Sequence, residues 1–137
     1  MKLMIVDDHP ATRKLIRQLL DGPGVTFCEC ASGDEAMLRA HDFQPDWVTM
    51  DIHMPGLNGL KATSEIIKQS PRSRILIVSA DNESYLRGMA HLAGATGYLC
   101  KENLIELRTL ITKTETNTEV ATSPPDRPTD ASPPCHL

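Results

Sequence analysis

Asp7, Asp8, Asp51, Ser79 and Lys101 are the residues of this chain whose types and places could do chemistry together. Each stands at or just past the end of a short apolar run: KLMIV before the two acids, WVTM before Asp51, RILIV before Ser79 and GYLC before Lys101. A carboxylate in such a place is costly unless something pairs with it. Where those runs end at one rim, three carboxylates crowd together and raise one another's pKa. A hard divalent cation removes that repulsion, and magnesium takes one or two carboxylates plus water and phosphate oxygens. Asp51, kept ionised, can then attack phosphorus. The cation, Lys101 and the Ser79 hydroxyl would hold the incoming phosphoryl oxygens, since phosphoryl transfer rests mostly on positioning and charge neutralisation.

Each residue alone has a plainer explanation. Asp7 and Asp8 could cap a helix, Asp51 could begin the turn at Pro55 and Gly56, Ser79 could cap the helix that follows, and Lys101 could be a solvated loop residue. Their joint placement at the ends of separate runs favours one shared site.

The elements that must position them follow from the pattern. KLMIVDD reads as a buried strand. ATRKLIRQLLD reads as a helix with Leu15, Ile16, Leu19 and Leu20 at helical spacing, Pro10 in its first turn and GPG at its end. VTFCECA is a second strand. SGDEAMLRAHDF is a helix with Ser32 and Glu35 placed as a capping box. DWVTM is the third strand and LKATSEIIKQS the helix after it, stopped by Pro71. RILIVSA, DNESYLRGMAHLAGA, TGYLC and ENLIELRTLITK continue the alternation, the last with Leu104, Leu107, Leu110 and Ile111 on one face. Strand and helix alternate five times, which implies a parallel sheet covered on both sides. The fold class is α/β, a flavodoxin-like doubly wound five-stranded sheet of order 2-1-3-4-5. Ligands of such sheets bind beyond the carboxyl ends of the strands, where all five candidate residues fall.

The 137 residues suggest one domain, large enough for a core without disulfides or a structural metal. Eighteen acids against fourteen bases give a net charge of -4, and the bases are scattered, so direct nucleic-acid binding is not expected. No apolar run is long enough for a bilayer, and MKLMIVDD meets charge too soon for a signal peptide, so a cytoplasmic protein is expected. Cys28 and Cys30 are expected on opposite faces of their strand, and with Cys100 and Cys135 they are read as reduced thiols outside any zinc pattern. Residues 114–137 hold five prolines and almost no large apolar residue, and are expected to form a disordered tail after a domain spanning 1–113.

VDDHP, MDIHMPGLNG, IVSA and GATGYLCK together resemble the receiver (CheY-like) domain of a two-component response regulator, over about residues 2–112. The wording of VDDHP and GATGYLCK is most similar to the subfamily that usually carries a LuxR-type helix-turn-helix output domain. The resemblance implies Asp51 as acceptor of a phosphoryl group from a histidine kinase or histidine phosphotransfer protein. It implies Mg2+ held by Asp7, Asp8, Asp51 and the backbone carbonyl of His53. It makes Ser79 the switch hydroxyl, Lys101 the phosphate-contacting lysine and Tyr98 the switch aromatic. His53 and Asp81 would flank the path of hydrolytic water. On phosphorylation Tyr98 would turn inward and alter the surface of the fourth helix, fifth strand and fifth helix for a downstream protein partner. Turnover is expected only as Mg-dependent self-phosphorylation and autodephosphorylation. Glu102 stands where many receivers have proline after a cis bond, and Asn58 replaces a commoner aspartate. Two alternatives stay open: the receiver portion of a DNA-binding transcriptional regulator without its output domain, and a Mg-dependent aspartyl phosphatase using His53 as general acid.

Overall fold

The computed structural model describes residues 1–120. The chain runs β1(Lys2–Val6), α1(Pro10–Leu20), β2(Thr26–Cys30), α2(Gly33–Phe43), β3(Trp47–Met50), α3(Gly59–Gln69), β4(Arg74–Ser79), α4(Ser84–Ala93), β5(Gly97–Cys100), a 3-10 turn at Lys101–Glu106, then α5(Leu107–Val120). All strand pairs are parallel and the order is β2-β1-β3-β4-β5, as the alternation predicts.

Alternation along the strands divides the core into two layers. Leu3, Ile5, Trp47, Leu76, Val78 and Leu99 face α1 and α5, where they meet Ile16, Leu20, Leu107 and Ile111. Met4, Val6, Val48, Met50, Ile75 and Ile77 face the other way and pack under α2, α3 and α4. Both faces of the central strands are therefore apolar apart from the buried Thr49, which leaves the charged residues at the strand ends.

Three local expectations change. Alternate residues of a strand share a face, so Cys28 and Cys30 lie together in the layer under α2 rather than on opposite sides. The fourth helix begins at Ser84, not Asp81, because Asp81 to Glu83 are taken up by the loop beyond β4. The last helix is preceded by the 3-10 turn with a kink at Asn103, and α5 continues past 113 to Val120. ETNTEV contains neither proline nor glycine, so nothing local stops the helix where the composition changes. The remainder of the expected Pro-rich tail, residues 121–137, lies outside the described residues.

The predicted caps hold. Ser32 Oγ accepts from the Glu35 amide at 3.1 Å, while Glu35 Oε1 accepts from the Ala31 amide at 2.8 Å. Gly94 ends α4 in the left-handed region at φ 106°, where a side chain would also meet Ile67.

Candidate functional site

The parallel register places the ends of β1 and β3 side by side, with Val6 opposite Met50. Asp7 and Asp51 follow directly. Both are held by backbone bonds that continue the ladder: the Asp7 amide donates to the Cys30 carbonyl at 3.1 Å and the Asp51 amide to the Val6 carbonyl at 3.0 Å. The two side chains are buried at the rim, with Asp51 only 4% exposed. One carboxylate oxygen from each of Asp7, Asp8 and Asp51, and one ring nitrogen of His9, lie within 4.8 Å of one another.

Lys101 reaches into this cluster from the end of β5. Its Nζ lies 2.9 Å from Asp7 Oδ2 and 3.5 Å from Asp51 Oδ2. Three carboxylates thus face one ammonium. Burial pushes the Asp51 carboxyl above its ordinary 3.8, Asp7 pushes the same way, and Lys101 only partly offsets them. Burial works against the Lys101 charge, but the bond to Asp7 and the charges of Asp51 and Asp7 outweigh it and raise Lys101 above 10.5.

The donor set fits a hard cation. Asp8 Oδ1 is buried and accepts no hydrogen bond, although the His9 ring nitrogen lies 3.2 Å from it. A buried carboxylate oxygen left open beside two other carboxylates is what a divalent ion satisfies. His9 itself went unread in the sequence beyond its place before Pro10. Its Nδ1 lies 3.2 Å from Asp7 Oδ1, and its amide donates to the same oxygen at 2.9 Å.

Several of the plainer explanations do not apply. The residue capping α1 is His9, which makes no side-chain cap bond, and neither acid caps that helix. Ser79 lies five residues before α4 and is fully buried. Lys101 is paired rather than solvated. Behind Asp51 the loop turns tightly into α3, where Asn58 Oδ1 accepts from the Leu60 and Lys61 amides at 2.9 and 3.0 Å. A Cβ on Gly59 would run into the Asp51 carbonyl oxygen, so only glycine lets the helix start this close.

The remaining predicted residues meet around Asp81. Ser79 Oγ accepts from the Asp81 amide at 3.1 Å, and Tyr98 Oη donates to the Asp81 carbonyl at 2.7 Å. His53 Nε2 lies 2.8 Å from Asp81 Oδ2, a contact between exposed side chains of two loops. Tyr98 is 4% exposed, with the Arg87 guanidinium 4.7 Å from its ring centroid. Burial raises its hydroxyl above 10, against the lowering bond with Ser79. The ring is thus buried, and its bond to the Asp81 carbonyl ties it to the loop after β4. The Lys101–Glu102 bond is trans, as expected without proline.

Comparison with known proteins agrees with this geometry. The family described as response regulator receiver domain matches residues 3–115. Response regulator GacA of Pseudomonas syringae pv. syringae is 34% identical over 103 residues, covering 74% of this chain and 48% of that protein. Chemotaxis protein CheY of Thermotoga maritima is 34% identical over 101 residues, covering 73% of this chain and 84% of that protein. A solved two-component response regulator of the LuxR family from Aurantimonas matches with TM-score 0.77 and 34% identity over 85% of both chains. The chain spans about half the length of the GacA-type relatives it matches. Among the described residues no helix is long and apolar enough to cross a membrane.

Proposed function

The chain belongs to the response regulator receiver domain family, and we propose that it works as a phosphorylation switch with Asp51 as the phosphoryl acceptor. The observation that carries this reading is the Lys101 ammonium set between buried Asp7 and Asp51 in a three-carboxylate cluster. Receiver domains generally use Mg2+ at such an acidic pocket, and Asp7, Asp8, Asp51 and the His53 carbonyl would hold it here. When bound, the ion supplies charge neutralisation for the carboxylates and the incoming phosphoryl oxygens.

The donor is a phosphohistidine of a kinase or phosphotransfer protein in the cytoplasm. An Asp51 oxygen bonds to phosphorus as the bond from phosphorus to the donor imidazole breaks. The new group carries about -1.5 to -2 charges. Lys101 neutralises part of that charge, and the Ser79 hydroxyl turns toward the phosphoryl oxygens as a hydrogen-bond donor. Ser79 thereby loosens its bond to the Asp81 amide. The Asp81 segment carries Tyr98 with it, so phosphorylation favours one of two arrangements of the α4, β5 and α5 surface. A downstream protein reads that surface.

Incubation with Mg2+ and acetyl phosphate, followed by intact-mass measurement, tests the assignment. One phosphoryl adduct is expected, lost with chelator and absent in Asp51→Asn. An equal adduct on the Asp51→Asn variant would overturn it.

A second reading has its own support. The GacA-type relatives are about twice as long as their match to this chain, which favours a DNA-binding regulator whose output part lies elsewhere in the polypeptide. A full-length transcript encoding a helix-turn-helix after residue 137 would establish it.

A further inference from the structure

Of the four residues whose donor atoms lie within 4.8 Å of one another, His9 alone has no part in the phosphorylation switch. It precedes Pro10, and a residue before proline is biased toward extended backbone. Its φ of -99° and ψ of 113° follow that rule. The ring then reaches the acids at the end of β1, with Nδ1 3.2 Å from Asp7 Oδ1 and 3.2 Å from Asp8 Oδ1. Neither capping nor carboxylate pairing accounts for this placement. The His9 side chain makes no cap bond to α1. Asp7 Oδ1 already accepts from the His9 amide at 2.9 Å, and Asp7 Oδ2 faces the Lys101 ammonium at 2.9 Å. Asp8 Oδ1 is buried and accepts no hydrogen bond, although the ring nitrogen is beside it. One ring nitrogen carries at most one proton, so it serves only one of the two oxygens well. A cation between the three atoms serves all of them.

Adjacent donors on an octahedral ion, each about 2.1 Å from it, stand about 3 Å apart. Both 3.2 Å spacings around Nδ1 are close to that edge. Imidazole suits ions such as Ni2+, Fe2+ and Zn2+, whereas Mg2+ favours oxygen donors. We propose that His9 Nδ1 is a further ligand of the divalent ion that Asp7, Asp8 and Asp51 would hold, and that it turns the preference of this pocket from Mg2+ toward first-row transition ions that accept nitrogen. The imidazole takes a place that water fills where all the donors are oxygen. Pro10 holds the His9 backbone in the extended form beforehand, so little ordering is required when the ion enters. The proposal rests on the acidic pocket assigned above but not on phosphoryl transfer, because ion binding can be read with no phosphodonor present.

Calorimetric titration of the chelator-stripped full chain with Ni2+ and, separately, with Mg2+ tests it. The parent, His9→Gln and Asp51→Asn are compared. The His9 side chain is 65% exposed, so His9→Gln should fold and melt like the parent without metal. That variant should bind Ni2+ at least about tenfold more weakly, the low end of what losing even a group behind a ligand costs. Its Mg2+ affinity should stay near the parent's. Asp51→Asn should weaken both ions, which places the titrated site in this pocket rather than at His41, His53 or His91. Equal weakening of Ni2+ and Mg2+ by His9→Gln would show that the ring only orients the carboxylates, and would overturn the proposal. Unchanged Ni2+ binding in His9→Gln, or Ni2+ binding indifferent to Asp51→Asn, would overturn it as well. Acetyl phosphate labelling of the parent is run in parallel. The expected affinities without any adduct would sink the phosphorylation switch and leave the ion site standing.

Discussion

Replacing Asp51 with asparagine should make the domain more stable when divalent cations are withheld. Asp51 meets the carboxylates of Asp7 and Asp8 with ligand oxygens within 4.8 Å, and at an effective dielectric of about 20 two such contacts repel by roughly 7 kcal/mol together. Lys101 Nζ at 3.5 Å returns roughly 5 kcal/mol on the same scale. About 2 kcal/mol of repulsion is left, and burial of the charge adds to it. For a domain near 100 residues each kcal/mol moves the melting temperature by about 4–8 °C, so Asp51→Asn should melt several degrees above the parent in chelator at neutral pH. The sign of the pH effect follows from the raised Asp51 pKa. A carboxyl raised in the folded state favours folding while protonated and loses that contribution as pH rises through its folded value. The gap between variant and parent should therefore close as pH falls through that raised value toward 3.8. Calorimetry with and without Mg2+ measures both effects, and Mg2+ should stabilise the parent more than the variant. Asp51→Asn melting at or below the parent in chelator would show that the carboxylates do not share one unneutralised cluster.

Three other substitutions probe the same rim. Lys101→Met should lower stability by about 2 kcal/mol in urea titrations, since it strands two buried carboxylates, and it should also slow phosphorylation by acetyl phosphate. The Lys101 contribution holds at neutral pH and fades only as pH rises through its folded pKa, above 10.5. Gly59→Ala should cost about 3 kcal/mol or more, because the new methyl meets the Asp51 backbone rather than a movable side chain; an unchanged urea midpoint would contradict the close approach. Asp81→Ala removes the carboxylate from His53 while keeping both backbone bonds, so the phosphoprotein should decay severalfold faster as water gains access between the loops.

The fold was legible because its signal is long-range alternation. Five apolar runs separated by helical segments leave little choice of topology, and both layers of the core follow from the period of the strands. The acidic cluster and Lys101 were legible for a related reason: each polar residue interrupts an apolar run at its carboxyl end. His9 was not legible, since one imidazole beside a proline gives no spacing to read; only the turn after β1 brings its ring to Asp7 and Asp8. The shared face of Cys28 and Cys30 was available from the strand period and was misread as a one-residue alternation. The start of α4 shifted because Asp81 serves the loop through tertiary bonds that no local propensity encodes.

Those bonds set what the proposed phosphorylation of Asp51 would do to this loop. Asp81 uses its amide on Ser79, its carbonyl on Tyr98 and its carboxylate on His53. Ser79 is fully buried and Tyr98 nearly so, while His53 and the Asp81 carboxylate stand in solvent. A rotation of the Ser79 hydroxyl toward a phosphoryl group frees the Asp81 amide, and a freed amide at that depth must find another partner or move toward water. Movement of the amide shifts the carbonyl of the same residue, on which the Tyr98 hydroxyl depends. It also shifts the carboxylate that joins the loop after β3 to the loop after β4. One residue thus couples the Ser79 hydroxyl, the aromatic ring of Tyr98 and the surface pair with His53, so these three cannot rearrange independently.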